Sequence, residues 1–134
     1  MQHHFPYDDF DVLDIPDKNI SGVYTLAEPA STQSDIEMIE AALAHPIGCR
    51  RLCDEVRSGM KIAIAVDDSS RNTKTEYMLP RVLHELEAAG MPRDDISIVI
   101  ALGTHRQMTP AEIKEKYSRE AATHYRFINP NWKD

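Results

Sequence analysis

The sequence lacks long apolar runs and concentrations of basic residues. No apolar stretch approaches the ~18 residues that a membrane-spanning helix requires. Residues 1–10 show no basic flank followed by an apolar segment, the pattern that marks a secretory signal. No stripe of lysine or arginine is present that could neutralise nucleic-acid phosphates. These absences argue against membrane and nucleic-acid partners, and we expect a cytoplasmic protein.

Cysteine is also scarce. The chain has only Cys49 and Cys53, which share helical spacing with Leu52 and Val56. We therefore expect both thiols on the buried apolar face of a short helix, as free cysteines of a reducing compartment. With His45 upstream they could form a soft metal site, but a third ligand would be needed. The sequence therefore predicts no metal ligand.

The negative charge of the chain is concentrated at its N-terminal end. At 134 residues, of which 42% are hydrophobic, the chain has room for one domain with a real core. Residues 1–45 carry nine acidic side chains and one basic side chain, which we interpret as a solvated surface. We predict that residues 1–33 form an irregular acidic segment, with a short strand at 22–26, that packs on a domain formed by residues 34–134.

Three apolar segments predict β-strands. Residues 61–66 and 96–102 form near-continuous apolar runs, which are typical of strands covered on both faces. A third, shorter strand is predicted at 125–128. Helical segments lie between these strands, and this order favours right-handed crossovers between parallel strands. The sequence therefore predicts an α/β fold, a parallel β-α-β sheet with flanking helices.

Capping residues and prolines mark the helix boundaries. Two helices begin with the spacing of a capping box, at Ser34 and at Thr109, and the second has a proline in its first position. Another helix contains Pro80, which is tolerated only in a first turn, so we place the start of this helix near residue 77. A short helix is predicted over 49–57.

Two loops are the expected location of a ligand site. In open parallel sheets, ligands bind beyond the carboxyl ends of the strands, and this rule selects residues 67–73 and 103–108, which face each other if the two strands are neighbours. Arg71 offers a planar fork for a carboxylate or phosphate, and histidine, present as His105, is the residue type that exchanges protons near neutral pH. Further anion-binding groups are the hydroxyls of Ser69, Ser70 and Thr73, the open backbone at Gly103 and the amides of the helix that starts at Thr109.

Each of these residues also has a purely structural interpretation. Asp67 and Asp68 could cap the turn after the strand, Arg71 could belong to a surface ion pair, and His105 could be an ordinary loop histidine. We interpret Arg106 as a solvated neighbour, and the five histidines outside these loops as structural or surface residues. The pattern alone therefore predicts a site for an anionic small molecule and names no reaction.

Four segments carry a resemblance to a known family. They are Ala-Val-Asp-Asp-Ser-Ser-Arg at 65–71, Ala-Leu-Gly-Thr-His-Arg-Gln-Met-Thr at 101–109, Leu-Glu-Ala-Ala-Gly at 86–90 and Ala-His-Pro-Ile-Gly at 44–48. At these positions the sequence resembles the lactate racemase N-terminal domain family. The resemblance covers roughly residues 35–134, and the two loop motifs together are more specific than either alone.

The resemblance implies the N-terminal domain of a two-domain enzyme that racemises or epimerises a 2-hydroxyacid. In this family a nickel-pincer nucleotide, nickel pyridinium-3,5-bisthiocarboxylate mononucleotide, accepts a hydride from the α-carbon, and this chemistry belongs to the cofactor. Two histidines alternate as base and acid for the hydroxyl proton. The resemblance implies that His105 is one of them and that Asp68, Ser69, Ser70 and Arg71 contact the cofactor.

The sequence departs from the family in two respects. The family usually has Arg-Pro-Thr-Pro where this chain has Arg-Asn-Thr-Lys at 71–74, so we expect a looser loop, and the identity of the hydroxyacid stays open. The family's cofactor-tethering lysine, nickel-binding histidine and second catalytic histidine lie in a C-terminal domain, whereas this chain ends at Asp134. We therefore expect a fragment or truncated product that is inactive alone. The alternatives are a non-catalytic anion- or nucleotide-binding module and one half of a split enzyme.

Overall fold

The structure, a computed structural model, describes residues 2–3, 12–24, 27, 32–131 and 133. The chain divides into two units, residues 1–31 and residues 32–134. No helix in the described part of the chain is long and apolar enough to cross a membrane.

The first unit contains a small antiparallel pair of strands. Strand β1 (Gln2–His3) pairs with β2 (Leu13–Asp14), and a single 3₁₀ turn follows at Asp17–Asn19. The strand predicted at 22–26 is wrong for its first three residues, which form no strand, and Thr25 and Leu26 lie outside the described residues. The packing of the N-terminal segment on the domain stays a prediction.

The second unit is built on a parallel three-stranded sheet. Its strands are β3 (Ile62–Val66), β4 (Ile96–Ile100) and β5 (Arg126–Ile128), in the order β3-β4-β5. Both neighbouring pairs are parallel, and Val66 lies opposite Ile100 in the register. The α/β prediction is therefore confirmed, and the three strands lie within the predicted segments.

Five helices accompany the sheet in the described part of this unit. Both predicted capping boxes are present, at Ser34 and at Thr109. In each, the capping side chain accepts a hydrogen bond from a backbone amide, and a glutamate carboxylate accepts one from the backbone amide of the capping residue. The last helix was not predicted. It is separated from the preceding helix by Ser118, which has a left-handed φ of 81°, and no glycine in the sequence signals this boundary. The helices are α1 (Asp35–Ala44), α2 (Leu52–Glu55), α3 (Thr75–Ala88), α4 (Pro110–Tyr117) and α5 (Arg119–His124).

Two helix boundaries differ from the predictions. Helix α3 begins at Thr75 instead of near residue 77, so Pro80 lies beyond the first turn and cannot donate to the carbonyl of Glu76. Thr75 starts the helix earlier because its side chain and amide are both bonded within the preceding loop. Helix α2 is shorter than predicted, and Cys49 precedes it and is exposed. The prediction that both cysteines are buried on one helix face is therefore wrong for Cys49.

The core lies on one face of the sheet. The three isoleucines of β4 are fully buried, and they pack with Leu79, Leu83 and Leu86 of α3 and with Tyr117 of α4. Burial of a side chain of this size stabilises the fold by about 1.5–3 kcal/mol. On the other face Ala63 and Ala65 of β3 are exposed. The expectation that this strand is covered on both faces is therefore wrong. The helices of this unit cover only the residues of β3 that point to the core face of the sheet.

Candidate active site

The two loops selected from the sequence do face each other at the carboxyl edge of the sheet. Strands β3 and β4 are paired in parallel, and the amide of Ala101 donates to the carbonyl of Val66 at 2.8 Å where both strands end. An open cleft of about 380 Å³ lies beyond this edge. Its lining includes Asp67, Asp68 and Arg71 from the first loop and Gly103, Thr104 and His105 from the second.

A histidine and a carboxylate join the two loops. Nδ1 of His105 lies 2.5 Å from Oδ2 of Asp68, although the two residues are 37 positions apart in the chain. Asp68 is only 5% exposed, whereas the side chain of His105 is 54% exposed. One end of the pair is therefore fixed in the protein, and the other end is open to the cleft.

The second oxygen of Asp68 is bonded within its own loop. Oδ1 accepts hydrogen bonds from the Ser70 hydroxyl at 2.6 Å and from the Ser70 amide at 3.1 Å. Burial raises the pKa of Asp68, but the hydrogen bonds from Ser70 and His105 outweigh this effect and hold the pKa below its ordinary value. Asp68 is therefore ionised at neutral pH.

This arrangement determines which nitrogen of His105 is available. An ionised carboxylate only accepts hydrogen bonds, so Nδ1 of His105 must carry the hydrogen that points to Asp68. Nε2 is then the nitrogen of the neutral ring that can accept a proton from a molecule in the cleft. The Asp68–His105 pair can thus orient a general base and stabilise the cation that forms when the base is protonated.

Arg71 and Ser69 are two exposed polar residues of the first loop. No described residue forms a hydrogen bond or an ion pair with either side chain, and Arg71 lines the cleft. A guanidinium in this position can hold a carboxylate with two parallel hydrogen bonds. Gly103 on the opposite loop has a φ of 57°, a left-handed conformation that favours glycine, and nothing lies within 4 Å of the place where a Cβ would stand.

The start of α4 is less available to an anion than we expected. Glu112 accepts from the Thr109 amide at 2.7 Å and binds both terminal nitrogens of Arg106, at 2.6 and 2.9 Å. The hydrogen bonds from Arg106 and Thr109 lower the pKa of Glu112 to about 2. A carboxylate of the protein itself therefore occupies this helix start, and the guanidinium of Arg71 is the more accessible anion-binding group.

Residues outside the two loops hold them in place, and the sequence had not singled these residues out. The carboxylate of Asp67 accepts from the Thr75 hydroxyl at 2.8 Å, and its backbone carbonyl accepts from Tyr117 at 2.5 Å. Lys116 donates to two carbonyls of the first loop. Ile113, Lys116 and Tyr117 follow helical spacing, so this spacing could have placed Lys116 beside the buried face of its helix.

No group of three or more histidine, cysteine, aspartate or glutamate side chains within the described ranges could hold a metal ion. The exposed Cys49 and the half-buried Cys53 are free thiols.

Comparisons with known proteins agree with this picture. The family model for the lactate racemase N-terminal domain matches residues 8–134. A lactate racemase of Thermoanaerobacterium thermosaccharolyticum is 29% identical over 120 residues, and one of Lactiplantibacillus plantarum is 31% identical over 120 residues. These alignments cover 87% and 86% of this chain but only 28% of each relative.

A solved structure shows the same fold. It is the lactate racemase apoprotein from Thermoanaerobacterium thermosaccharolyticum, which aligns with a TM-score of 0.75 and 28% sequence identity. The alignment covers 96% of this chain and 30% of that structure. An α/β unit with a two-loop site at the carboxyl edge of its sheet defines the class of protein. The chain belongs to the lactate racemase N-terminal domain family.

Proposed function

We propose that this chain supplies one side of the active site of an enzyme that racemises or epimerises a 2-hydroxyacid. The observation that carries the proposal is the buried Asp68 that orients His105 in the same cleft as the unpaired guanidinium of Arg71. A 2-hydroxyacid carries a carboxylate and, on the next carbon, a hydroxyl whose proton must be removed. An anion-binding guanidinium and an oriented base match these two groups.

In this proposal Arg71 binds the substrate carboxylate and Nε2 of His105 exchanges the proton of the substrate hydroxyl. Asp68 keeps the ring in the tautomer that leaves Nε2 unprotonated, and it stabilises the imidazolium after proton transfer. General acid–base assistance of this type contributes roughly 10²–10⁴-fold to a rate. The hydroxyl proton returns from the same nitrogen or from a second acid on the opposite side of the substrate.

The family resemblance supports a nickel-pincer nucleotide as the cofactor, which supplies the hydride acceptor when it is bound. Of the four residues that the resemblance assigns to the cofactor, Asp68 and Ser70 bond to each other and Asp68 also bonds to His105. Ser69 and Arg71 have side chains that no described residue engages. We therefore assign direct contacts with the cofactor or substrate to Ser69 and Arg71, and the orientation of His105 to Asp68 and Ser70.

The other side of the site belongs to protein outside this chain in our proposal. The chain spans about 28% of the length of the curated relatives it matches. The resemblance places the cofactor-tethering lysine, the nickel-binding histidine and the second proton-transfer histidine in a C-terminal domain. We propose that these groups complete the catalyst.

A matched pair of histidine substitutions tests the proposal. In the complete, cofactor-loaded enzyme, His105→Ala is expected to lower the rate of 2-hydroxyacid racemisation by roughly 10²–10⁴-fold. His84→Ala is the control, because His84 is an exposed residue of α3 outside the cleft. Chiral chromatography of lactate and of larger 2-hydroxyacids measures both rates. A His105→Ala rate within a few-fold of the His84→Ala rate would contradict the proposal.

A further inference from the structure

Lys116 has an unusual environment for a lysine. Its side chain, at the end of α4, is only 11% exposed. The ammonium donates to the carbonyl of Arg71 at 2.6 Å and to the carbonyl of Thr73 at 2.9 Å, and it lies 3.7 Å from Oδ2 of Asp67. A buried ammonium is costly unless its donors are satisfied and its charge is balanced. Here two carbonyls and one carboxylate meet that requirement.

The carboxylate of Asp67 forms an ion pair with this lysine. Oδ2 of Asp67 is buried, and no described residue donates a hydrogen bond to it. Its nearest charge partner in an ion pair is the ammonium of Lys116. This ion pair therefore helps to fix the position of the ammonium under the loop.

Besides Lys116, the exposed ion pair of Lys74 with Asp35 of α1 also ties this loop to another helix. Residues 69–74 are exposed. Among the described residues, the other hydrogen bonds of the 71–74 backbone stay within the segment between β3 and α3 or are made to α3. The two bonds from Lys116 span 45 and 43 positions of the chain, so they tie this loop to a different helix. One of the two bonds is made to the backbone of Arg71 itself.

We propose that Lys116 is a positioning residue for Arg71, because its ammonium holds the backbone from which the anion-binding guanidinium projects into the cleft. The proposal rests on the proposed function for the identity of the anion, a 2-hydroxyacid carboxylate. Lys116 does not touch the ligand in this account. It limits the conformations that Arg71 explores before binding, and such preorganisation strengthens binding without a new contact.

Substitutions in α4 separate positioning from general stability. Lys116→Met keeps the length and the apolar stem but removes the donors, and Lys116→Arg restores two donors. Lys114→Met is the matched control, since Lys114 lies two positions earlier on the same helix and is exposed. Order of the loop is measured by nitrogen-15 relaxation of the backbone amides of 69–74, with the amides of β4 as an internal reference.

A proline substitution offers a rescue. Lys74 has a φ of −76° at the centre of a tight turn in which the Thr75 amide donates to the Thr73 carbonyl at 2.8 Å. Proline adopts this φ, and no described group accepts a hydrogen bond from the Lys74 amide. Lys74→Pro also removes the exposed ion pair with Asp35, so the single variant Lys74→Pro is the reference for this test. Relative to Lys116→Met alone, Lys74→Pro with Lys116→Met should restore order to the amides of 69–73 by stiffening the backbone.

The expected result is a local loss of order. In Lys116→Met, the order parameters of 69–74 should fall from about 0.85 to below about 0.6 while those of β4 stay high. Lys114→Met should change neither set, and both Lys116→Arg and Lys74→Pro with Lys116→Met should recover the loop. Unchanged loop order in Lys116→Met, or an equal loss in β4, would overturn the proposal.

A titration with lactate separates this inference from the proposed function. The side-chain resonance of Arg71 should shift with lactate in the unmodified protein, and the apparent affinity should be about tenfold weaker in Lys116→Met. The titration is made in the complete, cofactor-loaded enzyme. If its unmodified form shows no shift, the proposed ligand is contradicted, while the order parameters still decide the role of Lys116. If the affinity is the same in both proteins, Lys116 does not position Arg71 and the inference fails.

Discussion

The α/β unit holds two hydrogen-bonded carboxylates, Asp68 and Glu87, in two clusters that differ in what they leave exposed. The site cluster consists of Asp68, Ser70 and His105. The distal cluster consists of Glu87, Arg93 and Tyr125. In the distal cluster Tyr125 donates to Oε1 of Glu87 at 2.5 Å, Arg93 binds both oxygens, and its guanidinium lies 5.6 Å from the centre of the Tyr125 ring.

The two clusters have different chemistry because their proton-bearing partners differ. Burial and the hydrogen bond to Glu87 raise the pKa of Tyr125 to about 12, and arginine stays charged at any physiological pH. Neither Tyr125 nor Arg93 therefore loses its proton near neutral pH. The distal cluster connects α3 to the residues before β4 and β5. The site cluster presents a histidine to an open cleft. A hydrogen-bonded carboxylate thus does not mark a site by itself.

The two clusters are expected to differ most in their effect on the turnover of the enzyme. Asp68→Asn keeps the shape of the side chain but removes the charge, so it no longer selects the tautomer of His105 or stabilises its cation. In the complete, cofactor-loaded enzyme we expect a loss of about 10²–10⁴-fold in racemisation rate. Glu87→Gln in the distal cluster should leave the rate within a few-fold, as measured by the same chiral assay. Equal losses in the two variants would mean that both clusters act only through stability.

A second contrast is expected in stability. Tyr117 is fully buried and donates to the Asp67 carbonyl beneath the site cluster. Tyr117→Phe should lower the free energy of unfolding by about 1–3 kcal/mol, because the carbonyl loses its donor. Tyr125→Phe in the distal cluster should cost about 1 kcal/mol or less, since Glu87 keeps its pairing with Arg93. Urea unfolding followed by circular dichroism measures both, and a larger cost for Tyr125→Phe would reverse the comparison.

The smallest expected effect is on the stability of the fold at low pH. The pKa values of Asp68 and Glu87 lie below their ordinary values of 3.8 and 4.5, through bonds from Ser70 and His105 and from Arg93 and Tyr125 respectively. Each carboxylate therefore stabilises the fold fully above its ordinary pKa, and this contribution disappears as the pH falls towards the folded-state pKa.

Urea unfolding between about pH 7 and pH 3 checks this sign. The unmodified protein should lose more stability over this range than Asp68→Asn or Glu87→Gln, because each variant lacks one of the two carboxylates. A variant that loses as much stability as the unmodified protein would show that its carboxylate does not contribute.

Much of the fold could be predicted from the sequence, because the sequence patterns that indicate its strands and helix starts are local. The apolar runs at 61–66 and 96–102 and the capping boxes at Ser34 and Thr109 depend on neighbouring residues alone. The break at Ser118 and the early start of α3 at Thr75 depend on backbone conformation and loop hydrogen bonds that have no compositional signal.

The site was predicted in outline and not in its internal connections. The rule for parallel sheets brought the loops of Arg71 and His105 to one edge, and the cleft between them agrees with that expectation. The pairing of Asp68 with His105 and the bonds from Lys116 to Arg71 join residues 37 and 45 positions apart. No spacing within the sequence encodes such contacts, because they depend on how α4 and the second loop pack against the first.

We infer that Asp68 fixes the ring of His105 with Nε2 open to the cleft. Two-bond proton–nitrogen correlation spectra of the imidazole rings, recorded at a pH where the rings are neutral, report the tautomer of each histidine. We expect that His105 carries its hydrogen on Nδ1 and that Asp68→Asn returns the ring to a mixture of both tautomers. A hydrogen on Nε2 of His105 in the unmodified protein would contradict it.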